Sequence, residues 1–289
     1  MILLVFFIAL LLLNYQFYRL RPEALLLERA EHTVAAMSEA KQLLIARAVQ
    51  DKDRPGSLPC PDADANGSAD LFAGNDCPKY LGRFPWRTLA SGKLTDAQGE
   101  LLWYALSRNY RDDDSAQPIH INLAAQLQAD SVDDVVAVIL APGHALPGQT
   151  GRPGNQAQDY LEAENSDGDQ IFAAHASWTG NDRIALITRT ELMQAVARMI
   201  VKRLAGDADS GLLAYRSSMG TFPAPDVDGD GYPDTGHAHG KVPFLALNYP
   251  ESIQQMLTLN DWFALADYAV GNQAQTAELS LHEHVLTLP

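Results

Sequence analysis

The sequence predicts an α+β protein in which an N-terminal membrane helix with an amphipathic extension precedes two related modules, each a helix followed by a small antiparallel sheet. Three observations predict it. The first thirteen residues are apolar, segments with helical spacing alternate with short β-branched runs, and an acidic, proline-bracketed loop occurs twice. With 289 residues, of which 47% are hydrophobic and 20% charged, the chain is long enough for two folded modules.

The N-terminal apolar run covers residues 1–13 and passes through an aromatic stretch to Tyr18. Thirteen apolar residues are fewer than the roughly 20 that span a bilayer, but the aromatic residues extend the run at the membrane interface. No small-residue cleavage site follows, so we expect an uncleaved anchor over residues 1–18. Arg19 and Arg21 follow the run, whereas an exported C-terminal body is usually preceded by its positive residues. A buried N-terminal helix of a soluble protein is the alternative.

Cys60 and Cys77 are the only cysteines. Their separation does not match a zinc-type C-x2-C pair or a thioredoxin-like motif. We therefore predict a disulfide that closes a small polar loop, in an oxidising compartment such as the periplasm or the cell surface. Two free buried thiols are the alternative.

Residues 22–50 have apolar side chains near helical spacing and predict an amphipathic helix. The β-branched run at 133–141 predicts a core strand and residues 183–188 predict another strand, and Thr190 is expected to cap a further helix. The predicted division is an anchor at 1–18, a first module at 19–180 and a second, related module at 181–289.

The acidic loop occurs at residues 56–67 and again at 220–231. The matched positions are Gly56, Pro59, Pro61, Asp62, Asp64, Gly67 and Asp70 in the first copy, and Gly220, Pro223, Pro225, Asp226, Asp228, Gly231 and Asp234 in the second. Two further blocks follow in the same order, so that 82–86 pairs with 240–244 and 103–106 pairs with 262–265. Ala224 replaces Cys60 and the insert with Cys77 is missing, as a bonded pair predicts.

Both loops have the alternating oxygen ligands and the glycine turn of a calcium loop. The predicted ligands are Asp226, Asp228, Asp230 and Asp234 in the second loop and Asp62, Asp64, Asn66 and Asp70 in the first. The first loop has one charge fewer, so we expect the weaker site there. Ala73 and His237 occupy the twelfth position, so an EF-hand is not implied. The alternative is a turn of Asp, Asn and Gly residues without a metal.

Other functions have weaker support in the sequence. The formal charge of -15 and the lack of a basic cluster argue against nucleic-acid binding. The pairs His237/His239 and His282/His284 offer too few ligands for zinc, and no G-x-S-x-G motif indicates a nucleophile. We therefore expect no enzymatic activity. The aromatic residues at repeat-equivalent positions, such as Trp103 and Trp262, are expected in module cores.

Five segments carry a resemblance to type IV pilin-like and type II secretion pseudopilin-like proteins, within a poorly characterised group from Gram-negative bacteria. They are residues 54–62, 82–89, 102–107, 135–143 and 181–193. The resemblance implies a single-pass inner-membrane anchor, a periplasmic body, and pilin or pseudopilin subunits as partners. Calcium sites also occur in pseudopilin bodies. The prepilin signature, a basic leader with Gly before Phe-Thr-Leu-Ile-Glu, is absent.

These observations together predict a membrane-anchored periplasmic structural or assembly protein of pilin or pseudopilin type, with calcium-loop-like segments. Two alternatives remain open. One is a periplasmic metal-dependent hydrolase. The other is a ligand-binding module in which the repeated aromatic residues line a groove between the two halves.

Overall fold

The computed structural model describes residues 8, 10, 15, 22–70, 76–113, 117–174 and 180–289. Helices and strands alternate in an α+β arrangement with two separate sheets. Within the described ranges the α-helices are α1 (Pro22–Gln50), α2 (Ala163–Ser166), α3 (Arg189–Ala205), α4 (Gly211–Met219), α5 (Glu251–Leu259) and α6 (Trp262–Leu265). The strands are β1 (Leu81–Arg83), β2 (Trp103–Leu106), β3 (Leu127–Ala129), β4 (Val132–Ala141), β5 (Ile171–Phe172), β6 (Arg183–Thr188), β7 (His239–Gly240), β8 (Asp267–Val270), β9 (Ala277–Leu281) and β10 (His284–Leu288).

The larger sheet has six strands and curls into a half-barrel. Its order is β1-β2-β4-β3-β5, and β6 also pairs with β4. The β-branched run of β4 is buried on both faces: Val136 and Ile139 belong to the main core, whereas Val138 and Leu140 belong to a second apolar cluster. The predicted small antiparallel sheet is therefore wrong for this half, because long-range pairing adds β3 and β5, which run parallel to each other.

The smaller sheet is fully antiparallel, in the order β10-β9-β8-β7. Its first pair matches the first pair of the larger sheet, since Gly240 pairs with Tyr268 as Gly82 pairs with Tyr104. The structural counterpart of β2 is therefore β8. The predicted match between residues 103–106 and 262–265 is wrong, because residues 262–265 form helix α6.

Helix α1 is 29 residues long and belongs to the folded body. Its buried face includes Met37, Ala40, Leu44 and Ala48, and it packs against β4, β6 and α3. None of the helices in the described ranges is long and apolar enough to cross a membrane. This finding overturns the predicted N-terminal membrane helix and the predicted single-pass inner-membrane localisation. The proposed anchor at 1–18 lies, except for residues 8, 10 and 15, outside the described residues.

Helix α3 contacts both sheets, because it packs against β4 and β6 of the larger one and against β9 and β10 of the smaller one. Its side chains at Leu192, Val196, Ile200 and Leu204 are fully buried. One apolar core accordingly includes residues of both predicted modules. The helix begins after Thr188, whose hydroxyl accepts a hydrogen bond from the Glu191 N–H (3.2 Å), so the predicted cap at Thr190 is wrong by two positions.

Candidate metal sites in the two acidic loops

Each acidic loop is attached to the outer strand of a sheet by the same backbone pairing. The Asp62 N–H donates to the Arg83 carbonyl (2.9 Å), and the Arg83 N–H donates to the Asp62 carbonyl (2.8 Å). Asp226 and Lys241 form the same two hydrogen bonds (3.0 and 2.6 Å). Gly82 and Gly240 stand next to these pairs. A Cβ atom at either glycine would come closer than 3.0 Å to the carbonyl oxygen of the aspartate, so the close approach of loop and strand requires glycine.

Backbone amides of each loop are directed at its first and last aspartates. The Gly67 N–H donates to Asp62 Oδ2 (2.6 Å), and Gly231 donates to Asp226 Oδ2 (2.9 Å). The residue after the first aspartate donates its N–H to the last aspartate at 2.8 Å in both copies, from Ala63 to Asp70 and from Val227 to Asp234. Gly67 and Gly231 have φ values of 92° and 85°, which let the chain turn back onto the carboxylate.

The hydrogen bonds hold three carboxylates together in each loop. They are Asp62, Asp64 and Asp70 in the first loop and Asp226, Asp228 and Asp234 in the second. In each group one ligand oxygen per residue lies within 4.8 Å of the others, and the burial is the same: the first aspartate is buried, the second exposed and the third half-buried. In the described part of the chain, no ion pair to Lys or Arg is formed by these six residues.

Burial raises the pKa of Asp62, and the neighbouring Asp64 side chain acts in the same direction, whereas the Gly67 N–H lowers it. A buried carboxylate beside a second carboxylate is disfavoured in its charged form. A bound cation would relieve both the burial and the repulsion. The first loop is therefore electrostatically suited to a cation.

Asp230, which gives the second loop its additional charge, does not belong to the carboxylate group of that loop. Asn66 Oδ1 accepts a hydrogen bond from the Ser68 N–H (2.7 Å), and Asp230 Oδ1 accepts one from the Tyr232 N–H (2.8 Å). The charge difference between the loops therefore lies outside the carboxylate groups. Sequence spacing alone could not reveal this, because a turn residue and a ligand have the same side-chain chemistry.

The predicted disulfide between Cys60 and Cys77 is confirmed, with an S–S distance of 1.99 Å and a Cα–Cα distance of 5.5 Å. Both residues are buried and belong to the main core. The bond closes residues 60–77, a segment that contains all four predicted ligands of the first acidic loop. The second loop reaches the same geometry with Ala224 in place of Cys60, so the hydrogen bonds are sufficient to shape it.

Several other candidates from the sequence do not assemble into sites. No histidine belongs to either of the two possible metal-binding groups found among the described residues. Trp103 and Trp262 are 2% and 0% exposed, so they do not line an open groove between the halves. This agrees with the expectation that they are core residues.

One pair of interacting acidic residues outside the loops was not predicted from the sequence. Asp182 is 1% exposed, its Oδ2 accepts hydrogen bonds from Asn165 Nδ2 (2.8 Å) and the Glu162 N–H (3.0 Å), and the Glu162 carboxylate accepts one from the Asp182 N–H (3.0 Å). Burial raises the pKa of Asp182 to about 8, and the Glu162 carboxylate adds to the effect. Asp182 and Glu162 are twenty residues apart in the sequence, so no local motif identifies them.

We expect stability to fall as the pH rises from about 4 to 8, because folded Asp182 keeps a proton that the unfolded chain loses near its ordinary pKa of about 3.9. Asp182→Asn keeps the site neutral and removes this dependence. At pH 9 the variant should be more stable than the natural chain by at least about 1.4 kcal/mol, measured by urea unfolding at pH 5 and pH 9. Asp209→Asn, at an exposed site, is the control, and an equal pH dependence in all three proteins would contradict the expectation.

Comparison of this chain with protein-family models, with curated proteins and with solved structures finds no match. The resemblance to pilin-like proteins therefore stays a prediction. What the protein does has to be inferred from the geometry of its loops and sheets.

Proposed function

We propose that this is a structural or assembly protein of pilin or pseudopilin type, whose acidic loops bind Ca²⁺ and thereby stiffen the folded body. The pilin-like type rests on the sequence resemblance, and one observation carries the binding of a cation. The same three-carboxylate group is built twice, with the same amide hydrogen bonds and the same pairing to an outer strand. Two copies that retain the same spacing of charged side chains point to a common ligand for those charges.

Calcium fits these groups better than softer metals. It prefers oxygen ligands, accepts carboxylates together with backbone carbonyls and water, and tolerates irregular geometry. Each loop supplies three carboxylates and no thiolate or imidazole among its described residues, whereas structural zinc sites are built mainly from cysteine and histidine. The unpaired negative charge of each group is also better matched to a divalent cation than to a monovalent one.

A structural role is favoured over catalysis because all three carboxylates of a group come from one loop. A catalytic metal needs an open coordination position beside a substrate cleft, usually with ligands from several elements. Cation binding here would instead link three residues of the same loop. Since each loop is also hydrogen-bonded to an outer strand, the loss of mobility in the loop would extend to the adjacent sheet.

Thermal unfolding with Ca²⁺ and with a chelator tests the proposal. Ca²⁺ at one hundred times its Kd contributes about 2.7 kcal/mol, so we expect the melting temperature to rise by about 5 °C. Asp228→Asn should reduce the rise, because it removes one of the three carboxylates of the second group. Asp230→Asn should leave it nearly unchanged, since Asp230 does not belong to that group.

Asp53→Asn, at an exposed aspartate outside both loops, controls for the loss of one negative charge. The proposal fails if the natural chain melts at the same temperature with Ca²⁺ and with chelator. The structural assignment of ligands fails if Asp228→Asn and Asp230→Asn reduce the Ca²⁺ effect equally.

A further inference from the structure

A cavity of about 440 Å³ lies in the opening of the half-barrel. Leu81 and Gly82 of β1 line one side and Phe172 of β5 lines another, and these are the outer strands of the path β1-β2-β4-β3-β5. Trp103 of β2 and Leu127 of β3 line the wall between them. The volume is in the range of ordinary ligand sites, which is about 300–1,000 Å³.

The outer edge of β1 is only partly paired where it meets this cavity. Arg83 bonds to Asp62 on the side away from β2, and in an antiparallel ladder the N–H and carbonyl of Leu81 face that same side. The residue that would pair with Leu81 is Asp64. However, the chain turns there into the acidic loop, and the Asp64 N–H donates to Asp62 Oδ1 (3.2 Å). Among the described residues, the turn thus leaves the main chain of Leu81 without a partner on the side that borders the cavity.

Two side chains that line the cavity contain polar atoms without a partner in the described residues. The indole N–H of Trp103 has no acceptor, and the carboxamide oxygen of Asn155 has no donor. Asn155 is held in place by its Nδ2, which donates to the carbonyl of Ala63 (2.7 Å). Leaving a buried donor or acceptor unpaired costs about 1–3 kcal/mol, so a ligand that supplies both an acceptor and a donor would be favoured.

We propose that this cavity binds an extended peptide segment of a partner protein, which pairs with the open edge of β1 at Leu81. A peptide group supplies both a carbonyl and an N–H, and strand addition to a sheet edge draws its affinity from such main-chain hydrogen bonds. Polar side chains around the cavity suit a peptide backbone: they are Gln126, Gln156, Gln158, Gln170 and Asn155. Lys79 and Arg108 outnumber Asp169 among the charged residues that line the cavity, which favours an acidic side chain on the segment.

A peptide fits better than a sugar because the Trp103 ring is not free to stack. The Arg83 guanidinium carbon lies 4.2 Å from the centre of that ring, and the Tyr160 ring lies 5.6 Å away, so the faces of the indole are largely occupied. Carbohydrate recognition of the aromatic type needs an exposed ring face. The inference does not depend on Ca²⁺ binding by the acidic loops.

The experiment follows the Trp103 indole resonance in ¹H–¹⁵N spectra of the full chain, assigned with Trp103→Phe. The probe is a degenerate pool of blocked hexapeptides at millimolar total concentration, and the comparison probes are the same pool N-methylated at alternate residues and a chito-oligosaccharide. We expect a saturable shift with the first pool and at least about tenfold weaker binding after N-methylation. No shift, equal shifts with both pools, or a shift with the sugar alone would overturn the proposal.

A blocking variant provides an independent arm. Gln170 is exposed at the cavity and bonds to β3 only through its backbone carbonyl, so Gln170→Trp should narrow the entrance and weaken binding of the pool at least about tenfold. Gln255→Trp, on the exposed face of α5, is the matched control and should bind as the natural chain does. Gln158→Trp replaces the blocking variant if Gln170→Trp does not fold. Undiminished binding by the folded blocking variant would also overturn the proposal.

Discussion

Reducing the Cys60–Cys77 disulfide is expected to lower the free energy of unfolding by about 3 kcal/mol. The bond joins residues 17 apart in the sequence, and cross-linking a loop of that length removes conformational freedom mainly from the unfolded chain. Chemical unfolding under oxidising and reducing conditions measures the difference.

The double variant Cys60→Ala/Cys77→Ala is the control, because alanine is the residue that the second loop carries at position 224. It should match the stability of the reduced natural chain and should not respond to reductant. Equal unfolding midpoints for the oxidised and reduced natural chain would contradict the expected contribution of the bond.

Replacing Arg54 with methionine is expected to destabilise the fold by about 3 kcal/mol. Arg54 lies at the end of the segment that follows α1, is 8% exposed, and forms an ion pair with the buried Asp113. Its guanidinium also donates to the carbonyls of Asp113 (3.2 Å) and Gln117 (2.9 Å). Methionine fills a similar volume but removes these hydrogen bonds and one of the two arginines that pair with Asp113, the other being Arg111 (2.9 Å).

Arg108→Met is the matched control for Arg54→Met. Arg108 also pairs with an aspartate, Asp76 (3.3 Å), but its side chain is 56% exposed, and solvated pairs of this kind contribute about 0–1 kcal/mol. Urea unfolding of both variants gives the comparison. The expectation is wrong if Arg54→Met lowers the free energy of unfolding by less than about 1 kcal/mol, or if both variants lower it equally. Burial would then not determine how much the Arg54–Asp113 pair contributes to stability.

The acidic loops were the most predictable part of the structure. Turn residues and alternating carboxylates have strong local preferences, so the pattern around Asp62 and Asp226 indicated a folded loop in both copies. The disulfide was also predictable, because both cysteines are absent from the second copy of the loop. Helix α1 and the buried strand β4 were predicted from the sequence pattern, although Leu26 and Val34 of α1 are exposed.

Other features depend on contacts between distant residues and could not be found locally. Residues 262–265 resemble β2 in sequence, yet they form α6, while the strand register makes β8 the counterpart of β2. Asp230 has the same chemistry as the clustered aspartates, but the folded loop places it outside their group. The apolar N-terminus suggested a membrane helix, whereas the first long helix described is mixed in composition and packs on the folded body.

By itself, the sequence determined that two equivalent acidic loops exist and that only the first is cross-linked by a disulfide. It also determined that helical and β-branched segments alternate along the chain. These properties are local, because they follow from side-chain chemistry and from preferences over a few residues. Only the tertiary structure decided which three carboxylates meet in each loop, how six strands curl into a half-barrel, and where the turn at Asp64 leaves the β1 edge open. Those outcomes depend on hydrogen bonds and packing between residues far apart in the chain, which no local pattern specifies.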